Sequence, residues 1–169
     1  MPSNPTRLIR GNLSYAGRSP PVFAKARASR LSPIQALGVR YENRLHKALA
    51  GLAKELGTTL ESNPWFKFRD DNGTGACSPD ALLWLSSHYF GLIVEVKYTW
   101  VPTAAPKMQK LYLPVVHRAL EPVILRSVII CKNLTPDSPK PIECLHKSMD
   151  GGGYATPVYQ WLGQGPLCW

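Results

Sequence analysis

The first 41 residues contain no acidic side chain, and none of the four cysteines (Cys77, Cys131, Cys144, Cys168) stands in a C-x-x-C pair. Zinc and iron–sulfur sites are built on short ligand spacings, so neither group is expected. The four histidines, at 46, 88, 117 and 146, are as scattered as the cysteines. Apolar runs are too short to span a bilayer, no secretory apolar region precedes the body, and no internal repeat is visible. With those markers absent, the cysteines are expected to be reduced and mostly buried.

What is present is a basic imbalance. The 169 residues hold 20 Lys+Arg against 11 Asp+Glu, a formal charge of +9, and are 44% hydrophobic. That apolar fraction excludes a wholly disordered chain and suits one domain with a real core. The charge points to a polyanionic partner. Seven of the bases lie within residues 1–41, namely Arg7, Arg10, Arg18, Lys25, Arg27, Arg30 and Arg40. Residues 42–169 therefore carry 13 bases and 11 acids, only +2. Residues 1–31, with Pro2, Pro5, Pro20 and Pro21, read as an extended basic arm lying on DNA, RNA or a partner subunit. An organellar transit segment, Arg- and Ser-rich and poor in acids, is the rival reading and is set second.

The body begins with a helix. Ser32-Pro33 supplies an N-cap and a first-turn proline, and Ile34, Leu37, Tyr41, Leu45, Leu49, Leu52 and Leu56 recur at steps of three and four before Gly57. A helix over 33–56 follows. Three strands are expected next as a meander: the aromatic run 65–69, then 81–85, then 91–98, separated by Asp70-Asp71-Asn72-Gly73 and Ser86-Ser87-His88. A second helix is expected over 104–120, interrupted by Pro114, and a fourth strand over 123–131. Residues 132–169 read as a Pro- and Gly-rich loop, including Gly151-Gly152-Gly153, with an edge strand over 158–162.

Glu95 breaks the pattern of its strand. It lies within Leu92-Ile93-Val94-Glu95-Val96-Lys97, and burying a carboxylate there is costly unless it is paired or holds a metal. Lys97 projects from the same face because strand side chains alternate. The two are either a self-satisfying ion pair or part of a hydrolytic centre. Asp80, which follows Pro79 fifteen residues earlier, would meet Glu95 if the two strands pair as a hairpin. Two converging carboxylates need a cation between them, and oxygen ligation suits Mg²⁺ or Mn²⁺.

Pro79-Asp80 followed by Glu95-Val96-Lys97 resembles the signature of the PD-(D/E)xK nuclease superfamily, and the element order resembles its α-β-β-β-α-β core. The resemblance covers residues 32–131. It implies an α/β (α+β) restriction-endonuclease-like fold, a mixed central sheet flanked by helices, carrying the basic arm in front. By resemblance, Asp80 and Glu95, helped by the Val96 carbonyl, hold a catalytic Mg²⁺ for which Mn²⁺ substitutes. Lys97 orients the attacking water, and Glu42 on the first helix serves a second metal or its water shell. His46, one turn on, is read as a surface residue. Gln109 and Tyr112 resemble the Gln-x-x-x-Tyr element of RecB-like and CRISPR-adaptation exonucleases, one residue short in spacing; Tyr112 is read as core. The arm bases Arg7, Arg10, Arg18, Lys25, Arg27 and Arg30, with Gln109 and Lys110, are the expected nucleic-acid contacts. Lys107 and Arg118 are further phosphate candidates, and Trp65, Phe66 and Phe68 are read as core rather than as base-stacking groups.

The implied activity is metal-dependent hydrolysis of DNA phosphodiester bonds leaving a 5′-phosphate, by an endonuclease or resolvase of phage or mobile-element type rather than an exonuclease. The alternative is a non-catalytic nucleic-acid-binding or assembly component, of a phage particle or recombination complex, on the same fold. DNA and a homodimer or larger assembly through the arm are the expected partners, with no membrane. The expected location is the cytoplasm of a host cell or a phage particle, ahead of an organellar matrix.

Overall fold

A computed structural model describes residues 8–18, 31–85, 89–150 and 155–169. Arg7, Lys25, Arg27 and Arg30 lie outside the described residues, as do Ser86-Ser87-His88 and Gly151-Gly152-Gly153.

The first helix, α1 (Pro33–Glu55), forms where the sequence places it. Ser32 Oγ accepts from the Gln35 N–H while Gln35 Oε1 accepts from the Ser32 N–H, a complete capping box. Tyr41, Leu45, Leu49 and Leu52 form its buried stripe. That stripe packs on one face of a five-stranded sheet, against Ala81, Leu83, Leu92, Val94, Val128 and Ile130.

The sheet is mixed. Its strands are β2 (Leu60–Ser62), β5 (Ala81–Leu85), β6 (Phe90–Thr99), β7 (Ile124–Asn133) and β8 (Val158–Gln160), side by side in that order. The β2–β5 and β5–β6 pairs are antiparallel, whereas β6–β7 and β7–β8 are parallel. On the opposite face lies the second helical segment: α2 (Ala104–Lys107), a π-turn (Met108–Tyr112) and α3 (Leu113–Leu120). It buries Met108, Tyr112, Val115 and Val116 against Leu82 and Ile93. Pro114 is the second residue of α3, just past the π-turn, and the segment continues through it with one widened turn rather than splitting.

The meander differs from the sequence reading. The aromatic run is β3 (Phe66–Asp70), but it does not pair with β5. It turns at Asp71-Asn72 into β4 (Gly73–Cys77) and forms a separate three-stranded sheet with β1 (Ser14–Gly17), in the order β1-β3-β4. The short β2 fills the place beside β5 instead. Phe66 and Phe68 are buried beneath the second helical segment, as core residues. Gly75 is required opposite Phe68, since a Cβ there would lie 2.5 Å from the ring.

Two more expectations change. Residues 8–18 of the arm lie on their own chain: the Arg10 N–H donates to Asp70 Oδ2 and the Asn12 N–H to Asp71 Oδ1, holding β1 against β3. The cysteines are not all thiols. Cys144 and Cys168 form a disulfide that ties the C-terminal tail to the turn of 3₁₀ helix at Leu145–Ser148. Cys77 and Cys131 are buried thiols as expected, and burial pushes both up to about 12. No described helix is long and apolar enough to cross a membrane.

Candidate active site

The middle of β6 and the start of β5 bring the candidate residues together. In the β5–β6 hairpin Ala81 stands opposite Val94, which carries Asp80 to the position opposite Glu95. The Glu95 side chain leaves the sheet on the side of the second helical segment, where Lys107 meets it. Asp80 Oδ2 accepts a 2.6 Å hydrogen bond from the Val96 N–H, which holds the carboxyl across the strand end. Val96 thus takes part through its backbone N–H.

Glu95 is 1% exposed. Its Oε1 receives two ammonium groups, Lys97 Nζ at 2.5 Å and Lys107 Nζ at 3.1 Å. Its Oε2 is buried and has no hydrogen-bond partner. The Lys97 contact follows from strand alternation, because residues 95 and 97 share a face. Lys107 reads in the sequence only as a phosphate candidate. Its place at Glu95 depends on how the second helical segment crosses the sheet. The same ammonium stands 4.6 Å from the centre of the Tyr112 ring.

Electrostatics follow from this crowding. Burial, and then the Glu95 charge, push the Asp80 carboxyl up to about 7; the Val96 hydrogen bond and Lys97 oppose the rise, and Glu42 adds to it. Burial works against the charged form of Lys97, but the charge and hydrogen bond of Glu95, with Asp80 behind them, outweigh it and hold the ammonium above its ordinary range. Tyr112 is raised by burial and by Glu95 and Asp80, so it stays a neutral phenol.

Glu42 lies on α1, near enough to act on Asp80 and partly open to solvent. His46 Nε2 is 3.8 Å from Glu42 Oε1, and His46 Nδ1 is 3.0 Å from Ser62 Oγ. That histidine is half-buried between α1 and β2 rather than on the open surface.

The expected nucleic-acid contacts are more dispersed. Arg18 binds Glu61 Oε2 at 2.6 Å and lies over Phe66, so its charge is engaged within the chain. Arg10 and Lys110 are exposed. Gln109 is half-buried and lines a cavity beside Leu113 and Pro114. No protein-family model, curated protein or solved structure matches the chain.

A hard divalent cation fits the donor set. Asp80 and Glu95 offer oxygen only, repel one another when both are ionised, and leave one buried carboxylate oxygen unsatisfied. Cys77 and Cys131, with thiols pushed up to about 12, are poor soft-metal ligands.

Proposed function

We propose that this protein is a divalent-metal-dependent nuclease that hydrolyses DNA phosphodiester bonds, built on a restriction-endonuclease-like α-β-β-β-α-β core. The reading is carried by one observation: Asp80 and Glu95 converge at a strand end with Glu95 Oε2 buried and unpartnered. The order α1, β2, β5, β6, second helical segment, β7 along the large sheet supports it as well.

Asp80 and Glu95 would hold the cation, with Glu42 contributing negative charge from α1. Bound there, Mg²⁺ or Mn²⁺ supplies an acidified water and charge neutralisation at the scissile phosphate. Lys97 keeps a proton throughout, because its ammonium is stabilised by the carboxylates, and so acts as a fixed positive donor towards the attacking water or the phosphate oxygens. Lys107 adds a second ammonium on the same side, and Tyr112 supports it from below. Ile93, two residues before Glu95 on the same face, packs with Met108 in a buried apolar cluster. Endonucleolytic or resolvase cleavage leaving a 5′-phosphate is the form favoured, with DNA as partner and a homodimer or larger assembly as the working unit.

The test is cleavage of supercoiled plasmid and of branched DNA with Mg²⁺. Asp80→Ala and Lys97→Ala are expected to lose at least a hundredfold in rate, the order seen when a charge-stabilising group is removed from a preorganised site. Variants that cut as fast as the parent would refute the assignment. The pairing of both lysines with Glu95 Oε1 favours a second reading, a charge-satisfied cluster in a non-catalytic DNA-binding or assembly protein. DNA binding by the unmodified chain with no cleavage in Mg²⁺ or Mn²⁺ would select that reading.

A further inference from the structure

A second feature, separate from the carboxylate cluster, has the make-up of a ligand site. Between α3 and the first half of β7 lies a cavity of about 640 Å³. Arg126, on its wall, pairs in register with Leu92, three residues before Glu95, so the cavity sits roughly 10 Å further down the sheet. β8 pairs only with Ile129, Ile130 and Cys131, so β7 before Ile129 has no strand beyond it among the described residues.

The walls are mostly apolar, with Leu113, Val123 and Leu125 among them, and the volume is that of small-molecule sites. Two of the polar side chains on the wall are hydrogen-bonded within the chain. Ser127 Oγ pairs with Thr156 Oγ1 at 2.9 Å, and Ser148 Oγ donates to the Leu145 carbonyl at 2.7 Å. His117, on the exposed rim, stands 3.7 Å from Glu121 Oε1. Arg126 differs. Its Nη1 donates to the Leu125 carbonyl at 3.2 Å, but its Nε is buried with no hydrogen-bond partner, and no carboxylate pairs with it among the described residues. A guanidinium in this position carries a desolvation cost that an anion would offset through a planar, charge-assisted pair.

We propose that this cavity binds a small organic anion: an apolar or aromatic body seated against Leu113, Val123 and Leu125, with one carboxylate or phosphate monoester on Arg126. One guanidinium in an apolar hollow, with Glu121 near the rim, suits a single anionic head and disfavours a polyanionic strand. The inference goes beyond the nuclease reading and does not depend on it.

The test uses the full chain, ¹⁵N-labelled, and three probes: 2-naphthoate, 2-naphthyl phosphate and the neutral 2-naphthylmethanol. Saturable shifts of the Leu125, Arg126 and Ser127 amides are expected with at least one anion, which then binds at least tenfold more tightly than the neutral probe. The stronger of the two anions identifies the head group. Arg126→Gln is expected to lose tenfold or more for the anion and little for the neutral compound, with Arg126→Lys between. Val123→Trp, which fills the hollow and leaves Arg126 in place, is expected to abolish binding and serves if Arg126→Gln does not fold. Absence of shifts at millimolar probe, equal binding of the neutral compound, or unchanged binding by Val123→Trp would each overturn the proposal.

Discussion

Replacing Asp80 by Asn should stabilise this protein, and should do so only above acidic pH. The carboxyl is raised from an ordinary aspartate value near 3.8 to about 7, first by burial and second by Glu95. A folded-state value above the unfolded one means that the native chain holds a proton that the unfolded chain has released. Stability therefore falls as pH rises from about 4 through 7, and the full loss is present above 7. A rise of that size corresponds to about 4 kcal/mol when all of it is felt in folding. Asp80 is partly open to solvent, and its titration is shared with Glu95, so an effect of about 2–3 kcal/mol is the reasonable expectation. Asn keeps an oxygen to accept the Val96 N–H and removes the charge. Urea unfolding of parent and Asp80→Asn at pH 4.5, 6 and 8 reads the difference directly. The expected pattern is near equality at pH 4.5 and a variant more stable by about 2–3 kcal/mol at pH 8. Added Mg²⁺ should close that gap from the other side, stabilising the parent by about 1.4 kcal/mol at ten times its dissociation constant and leaving the variant unmoved. A difference that does not change with pH, or a variant less stable at pH 8, would refute the electrostatic account of the site.

Two further perturbations test the rest of the framework. Lys97→Met or Lys107→Met alone leaves Glu95 with one ammonium, and each should cost about 1 kcal/mol, the net worth of one hydrogen bond. The double variant strands a carboxylate that is 1% exposed and should cost about 3–5 kcal/mol, more than the sum, by urea unfolding at pH 7; additive losses would show that the lysines do not share Glu95. Cys144→Ser should lower stability by about 3.5 kcal/mol, the loop-closure value for a separation of 24 residues. The parent under reductant should show the same loss, and no change in either measurement would place the tail bond outside the cooperative fold.

The parts of the fold that were legible share a property: their signals are local and periodic. α1 announces itself by its cap and by a stripe at helical spacing, and the Glu95–Lys97 contact by the two-residue repeat of a strand. The error in the meander shows where such signals stop. Phe66 and Phe68 alternate with polar neighbours as a strand should, but alternation fixes a face and not a partner strand. Leu60-Glu61-Ser62, which occupies the place beside β5, is three residues with one aliphatic side chain and carries no periodic signal. β1 is exposed along most of its length and is held by backbone pairing and by Asp70 and Asp71, so hydrophobicity could not reveal it. The Cys144–Cys168 bond is of the same kind: a separation of 24 residues says nothing until the chain path is known.

The π-turn joins the legible and illegible halves of the site. In an α-helix, Lys107 and Tyr112, five positions apart, would point about 140° from one another. The widened turn at Met108–Tyr112 brings positions i and i+5 closer to one face, and the Lys107 ammonium lies over the Tyr112 ring and reaches Glu95. Pro114 offers a local reason for the widening: it lacks the N–H that a regular helix would use there, and its ring would crowd the carbonyl of Lys110. A residue first recognised as a helix breaker is thereby linked to the placement of a second cation over the buried carboxylate. Leu113 and His117, just beyond the π-turn, wall the same cavity as Arg126. The π-turn thus stands between the charged cluster around Glu95 and the hollow further down the sheet.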